Sequence, residues 1–228
     1  MNSTLTFKNY LSKTFLTLTI GLATSTITAF FVSRNIYSIL YAMGSRSSIA
    51  LLIICIAELG VAFYFNSRIM SMSKSTAWIC YIAYSVLTGF SLSTLFAVYS
   101  LGSIVLALGI TCVVFICMSV IGLTTSLDFS NLTTLFSTGL IITLILNIVS
   151  SFIFSQALNT ITLFISVLVF LGLIAYDIQK LRNIYSASFY DTDMSDKLMI
   201  LGAFQLYLDF INLFIRVLEV FGRRDNDR

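Results

Sequence analysis

Histidine and proline are both missing from the 228 residues of this chain. Without histidine there is no Ser–His or Cys–His nucleophile pair and no imidazole metal ligand. Any titration near neutral pH then has to come from carboxyl groups in unusual surroundings. Without proline, a break in a helix has to come from glycine, from polar side chains or from backbone unwound inside the protein. Charge is scarce as well: 10% of residues are Asp, Glu, Lys or Arg, against about a quarter in a soluble domain. The four cysteines, Cys55, Cys80, Cys112 and Cys117, fall in apolar segments and form no C-x-x-C pair. They read as small core residues, not as ligands or disulfides. The net charge of +3 is spread over loops and the C-terminus, where Arg223, Arg224 and Arg228 alternate with Asp225 and Asp227. That is a solvated tail and not a patch for nucleic acid.

What is present is hydrocarbon: 58% of residues are hydrophobic. The expectation is an all-α integral membrane protein, one membrane domain over residues 1–228 with seven transmembrane helices. Their spans are read at 14–33, 47–65, 77–98, 102–123, 132–154, 161–180 and 198–220, each close to the roughly 20 residues a helix needs to cross a bilayer. The first run is longer than the apolar core of a cleaved signal peptide, about 7–15 residues, so it reads as a span. Ser130 or Asn131 is placed to cap the fifth helix. Asn183 to Lys197 reads as the one long polar connection. Short connections make sequential helices antiparallel neighbours. Lys8, Lys13, Arg68, Lys74, Lys180, Arg182 and Lys197 fall on one side, and Arg34, Arg46, Arg223, Arg224 and Arg228 on the other. The surplus of basic residues puts the N-terminus in the cytoplasm.

The last span, LMILGAFQLYLDFINLFIRVLEV, carries Gln205, Asp209, Asn212, Arg216 and Glu219. Their spacing of three and four residues puts them on one face of a helix. Charge at bilayer depth is costly, so that face must meet protein, water or a pathway. This helix is therefore expected at the centre, with the others around it. Arg216 and Glu219, one turn apart, are placed to neutralise each other.

Three acids lie at membrane depth: Glu58 in the middle of the second span, Asp177 toward the end of the sixth and Asp209 inside the seventh. A rise of about 1.5 Å per residue allows the two aspartates to meet at one depth. Two carboxylates close together in a low dielectric cannot both ionise easily and share a proton. Such a pair is a pH sensor built without histidine. It also offers hard oxygen ligands, so Asp177 and Asp209 are candidate ligands for Ca²⁺. Arg68 or Arg216 could instead pair with one carboxylate. An aspartyl intramembrane protease also needs two membrane aspartates, but no further motif of that chemistry accompanies them here, and no enzymatic step is expected.

Three segments carry a resemblance: FLGLIAYDIQKLR at the end of the sixth span, LGAFQLYLDFINLFIRVLEVFG in the last, and FICMSVIGLTTSLDFSNLTTLFSTGLI across the fourth and fifth. They resemble the corresponding segments of the Bax inhibitor-1 family, the transmembrane Bax inhibitor motif proteins. The resemblance implies a seven-helix fold with the last helix surrounded by six. It implies a pH-sensitive calcium leak gated by a hydrogen-bonded aspartate pair, which falls on Asp177 and Asp209, with calcium as the permeant ion and no cofactor. The family's helix-two acid falls on Glu58, expected to line the pathway, and a latching basic residue falls on Arg68. Many relatives have an arginine ten residues after the helix-seven aspartate, where this chain has Glu219, with Arg216 one turn before it. Bacterial relatives are linked to a membrane-bound quality-control protease, a binding role that needs no channel and would draw on the tail from Met1 to Lys13. A member in the bacterial inner membrane is expected. A proton-coupled transporter is a third reading, though no solute is indicated.

Overall fold

The computed structural model describes residues 6–35, 41, 47–125, 133–153, 155–188 and 192–223. Among them every regular element is a helix and none is a strand. In chain order these are α1 (Phe7–Ser33), α2 (Ser47–Arg68), α3 (Lys74–Ser93), the single turn α4 (Leu95–Val98), α5 (Leu101–Thr124), α6 (Thr133–Ile153), α7 (Gln156–Ser188) and α8 (Thr192–Phe221). Six of these, counting α3 with α4, are long and apolar enough to cross a membrane. The apolar stretch described in α6, Thr134–Asn147, is shorter. The protein is an all-α, multi-pass membrane protein.

Several boundaries differ from the spacing-based reading. The helix α1 starts at Phe7, so Lys8 and Lys13 are helical, and Phe7 and Tyr10 stack on Tyr185 with centroids 5.5 Å apart. The supposed polar connection after Asn183 is largely helix, because α7 runs on to Ser188 and α8 begins at Thr192. Polar composition alone does not separate helix from loop there. The third span breaks at Thr94, a break made without proline or glycine. The candidate caps Ser130 and Asn131, and with them Met1 to Leu5, Arg46, Arg224 and Arg228, lie outside the described residues.

The hydroxyl-rich sequence of α1 is compatible with lipid because the hydroxyls bond inward. Thr19 and Thr26 are exposed and Thr24 is half-buried, and each donates to the carbonyl four residues earlier at 2.8 Å, so no donor is offered to the hydrocarbon. Cys55, Cys112 and Cys117 are exposed on apolar spans, and Cys80 is half-buried. This corrects the expectation that the cysteines fill the core: three of them face the surrounding medium.

The chain packs as two compact units. The first comprises residues 1–101, 184–207 and 223–228. In it α1 lies along α3 at close range, since a Cβ on Gly21 would overlap the Tyr81 hydroxyl and one on Gly89 would meet Thr28 and the Ser25 carbonyl. Small residues let helices approach where no hydrophobic effect drives them together. Phe65, Tyr81, Tyr84, Phe204 and Tyr207 interlock edge-to-face. Ser73 caps α3, accepting from the Thr76 amide at 3.1 Å.

The second unit comprises residues 102–183 and 208–222. Gly122 of α5 sits on the backbone of Ala175, Gly139 of α6 on Val169, and Gly172 of α7 on the Phe136 ring. The helix α8 contributes to both units. It is the most enclosed span, with 67% of its apolar window buried against 11–39% in the others.

Candidate functional site

In the second unit, Asp177 reaches the site from α7, between the buried Ala175 and Ile178. The backbone there is held against α5, because Gly122 leaves room for Ala175 and Ile178 to close on it. Arg182, one turn further along α7, donates to the Leu123 carbonyl at 2.9 Å and ties the end of α5 to the same helix. Asp209 comes from α8, where its neighbours Leu206, Phe210 and Leu213 are buried. Phe210 meets the Phe115 ring of α5 at 5.4 Å.

These contacts bring the two aspartates together, and their side chains hydrogen-bond each other. An ionised carboxylate only accepts hydrogen bonds. A hydrogen bond between two carboxyls therefore needs a proton on one of them. Asp209 is 6% exposed, while Asp177 is half-buried. The Asp209 Oδ2 atom is buried. Lys180 is the cation whose field reaches both carboxyls, and its ammonium lies 5.8 Å over the Tyr176 ring.

The other polar residues of the last helix divide by position. Asn212 donates to the Leu208 carbonyl at 2.8 Å, within its own helix. Arg216 Nη1 pairs with Glu219 Oε2 at 2.7 Å, while Arg216 Nε is buried without a partner. In the first unit, Glu58 is half-buried on α2 and accepts from Ser91 Oγ at 2.8 Å. Arg68 ends α2 with an exposed side chain.

Two sets of buried hydroxyls leave no mark in the spacing of charged residues. One is Ser25, whose Oγ lies 2.5 Å from the Tyr207 hydroxyl and 2.7 Å from the Ser85 carbonyl. The Gly21 carbonyl is also within reach, at 3.1 Å; with one proton to give, Ser25 donates to the nearer Ser85 carbonyl and accepts from Tyr207. Ser25 lies four residues after Gly21 and Ser85 four after Tyr81, a helical register that marks one face of each helix. The other is Ser119, buried on α5.

A calcium ion takes about six to eight oxygen ligands. Two carboxyls fall short of that, and among the described residues no cluster of three or more Asp, Glu, Cys or His exists.

A family model described as "Inhibitor of apoptosis-promoting Bax1" matches residues 7–226. The chain belongs to the Bax inhibitor-1 family. The inner membrane protein YbhL of Escherichia coli is 33% identical over 220 residues, covering 95% of this chain and 92% of YbhL. An uncharacterized protein of Borreliella burgdorferi is 34% identical over 220 residues, covering 96% of this chain and 93% of its own length. One of Rickettsia prowazekii is 41% identical over 172 residues, covering 75% and 72%. The segments bearing Asp177 and Asp209 fall inside the matched region.

Proposed function

We propose that this protein is a pH-sensitive, calcium-permeable leak channel of the inner membrane, gated by Asp177 and Asp209, with no enzymatic step. The observation that carries the reading is the hydrogen bond between the two carboxyls, which α7 and α8 bring together in one unit. Losing the shared proton puts two negative charges side by side in a low dielectric, which the pair cannot tolerate in the same geometry. The helices then have two arrangements between which pH chooses. In the charged arrangement the same oxygens suit a hard cation. Glu58, half-buried and held by Ser91, attracts cations to the pathway. Arg68, free of a membrane-buried position, serves as the latch when a carboxylate becomes ionised, and Arg216 is kept from that role by Glu219. The inner-membrane assignment draws on the name of YbhL, and the N-terminus is assigned to the cytoplasm from the basic residues.

The test is calcium flux into liposomes carrying the full chain, from about pH 6 to about pH 8, where a carboxyl pair sharing a proton would titrate. The wild type is expected to leak in a pH-dependent way, and Asp177→Asn or Asp209→Asn to lose that dependence. A leak whose pH profile is unchanged in both variants sinks the aspartate gate. No leak at any pH leaves the binding role, with a membrane-bound protease as partner.

A further inference from the structure

The basic residues of the second unit are Lys180, Arg182 and Arg216. Two of them are engaged elsewhere. Arg182 donates to the Leu123 carbonyl at 2.9 Å, and Arg216 pairs with Glu219 at 2.7 Å. Among the described residues Lys180 forms no ion pair. Its ammonium rests 5.8 Å from the centre of the Tyr176 ring. That ring is set from α6, where Phe136 meets it with centroids 5.8 Å apart. Gly172, one turn before Tyr176, makes the room, since a Cβ there would overlap the Phe136 ring.

Tyr176 and Lys180 are four residues apart on α7, and Asp177 and Lys180 three. Both spacings make surface neighbours of a helix, with Cβ atoms about 5–6 Å apart. The lysine stem is long and flexible and ends in a compact charge. Its ammonium can therefore serve the ring or the carboxyl with the backbone at rest. Asp209 is bonded to Asp177, and the charge of Lys180 acts on both carboxyls. Phe115 and Gly122 of α5 and Phe136 of α6, which pack against this part of α7 and α8, do not titrate. On α8 the next charged groups are Arg216 and Glu219, already paired. Tyr176 and Lys180 are the ionisable neighbours on α7 itself.

We propose that Lys180 is the counter-cation of the aspartate pair: its ammonium lies over Tyr176 while the carboxyls share a proton, and moves onto them when that proton leaves. One proton passes to water and one side chain swings. The carboxyls go from one negative charge to two, beside the same single cation. A ring face draws an ammonium through its quadrupole and a carboxylate through a full charge, so the second negative charge decides where the lysine stands. The proposal rests on the reading that the pair shares a proton, and supplies the pair with a cation from its own helix.

The experiment is infrared difference spectroscopy of the full chain in lipid nanodiscs across pH, with calcium flux into liposomes for the same variants. The wild type is expected to show a protonated-carboxyl stretch, altered in Asp177→Asn and Asp209→Asn, that is lost as the pH rises. Lys180→Met is expected to move the midpoint of that loss up by about one pH unit, because an opposite charge nearby favours the ionised form. Lys180→Arg should hold it near the wild-type value. Tyr176→Leu removes the resting place and should move the midpoint down, while Tyr176→Phe, which keeps a ring, should not. General loosening of the fold does not produce opposite shifts from two neighbours, and Tyr176→Leu carries the test if Lys180→Met fails to fold. A midpoint unmoved in Lys180→Met overturns the counter-cation and leaves the aspartate pair standing. Absence of the carboxyl band at every pH in the wild type overturns the shared proton, and the role of Lys180 with it. Carboxyl midpoints that shift as expected while calcium flux ignores them leave Lys180 as the counter-cation and overturn the leak reading instead.

Discussion

Gly122 of α5 lies directly against Ala175 of α7, so close that a Cβ placed on the glycine would sit 2.5 Å from the alanine carbonyl oxygen. The nearest atom is backbone, which cannot rotate aside. Gly122→Ala should push the two helices apart and destabilise the protein by about 1–3 kcal/mol, as overpacking does. Thermal unfolding in detergent should show a lowered midpoint. Gly102→Ala, whose Cβ would meet nothing within 4 Å, is the control and should leave the midpoint unmoved or raise it.

Ser25 and Tyr207 form the central hydrogen bond of the first unit. Tyr207→Phe removes one donor and leaves Ser25 with its bond to the Ser85 carbonyl. The expected loss is about 0.5–1.5 kcal/mol. Ser25→Ala should cost more, since the Tyr207 hydroxyl then loses its acceptor in a buried setting. A double-mutant cycle by denaturant unfolding in micelles checks both, and additive costs would show the pair to be uncoupled.

Lys74 and Asp196 pair at 2.5 Å at the beginnings of α3 and α8, with side chains 47% and 22% exposed. Lys74→Ala is expected to cost at most about 1 kcal/mol, because exposed ion pairs are screened. The difference from wild type should shrink in molar salt, where the screening length is about 3 Å. A loss that is large and insensitive to salt would mean that the lysine acts through packing instead.

The aspartate pair ties stability to pH. On the proposed gate the two carboxyls share one proton, and losing it sets two like charges side by side. Asp209→Asn supplies the donor permanently, since an amide N–H can bond the Asp177 carboxylate at any pH. The variant should be about as stable as the wild type in acid and more stable than it in alkali. Unfolding midpoints across the pH range test this, and parallel curves for the two proteins would count against it.

Much of this architecture could be read from residue order because apolar runs of span length admit few alternatives in a bilayer. The row from Gln205 to Glu219 marked α8 as a helix that lipid would not accept, and it is the most enclosed span. The Arg216–Glu219 pair followed from one turn of spacing. The meeting of Asp177 with Asp209 could be anticipated only as a possibility of depth, since a helix start misplaced by a turn shifts a residue by about 5 Å. Indeed α8 begins at Thr192, earlier than the apolar run suggests. Ser119 was invisible for a different reason. A serine inside a span ordinarily bonds its own helix, and its failure to do so here is a property of the folded atoms and leaves no mark in the sequence.

The threonines on the outer side of α1 have a consequence for how such a chain is scored. Thr19, Thr24 and Thr26 each spend their proton on a carbonyl of their own helix. What remains outside is a methyl group and an oxygen already occupied, nearly the outline of valine. A scale that debits every threonine as polar therefore undervalues this helix, because acyl chains meet the surface of a residue and not its name.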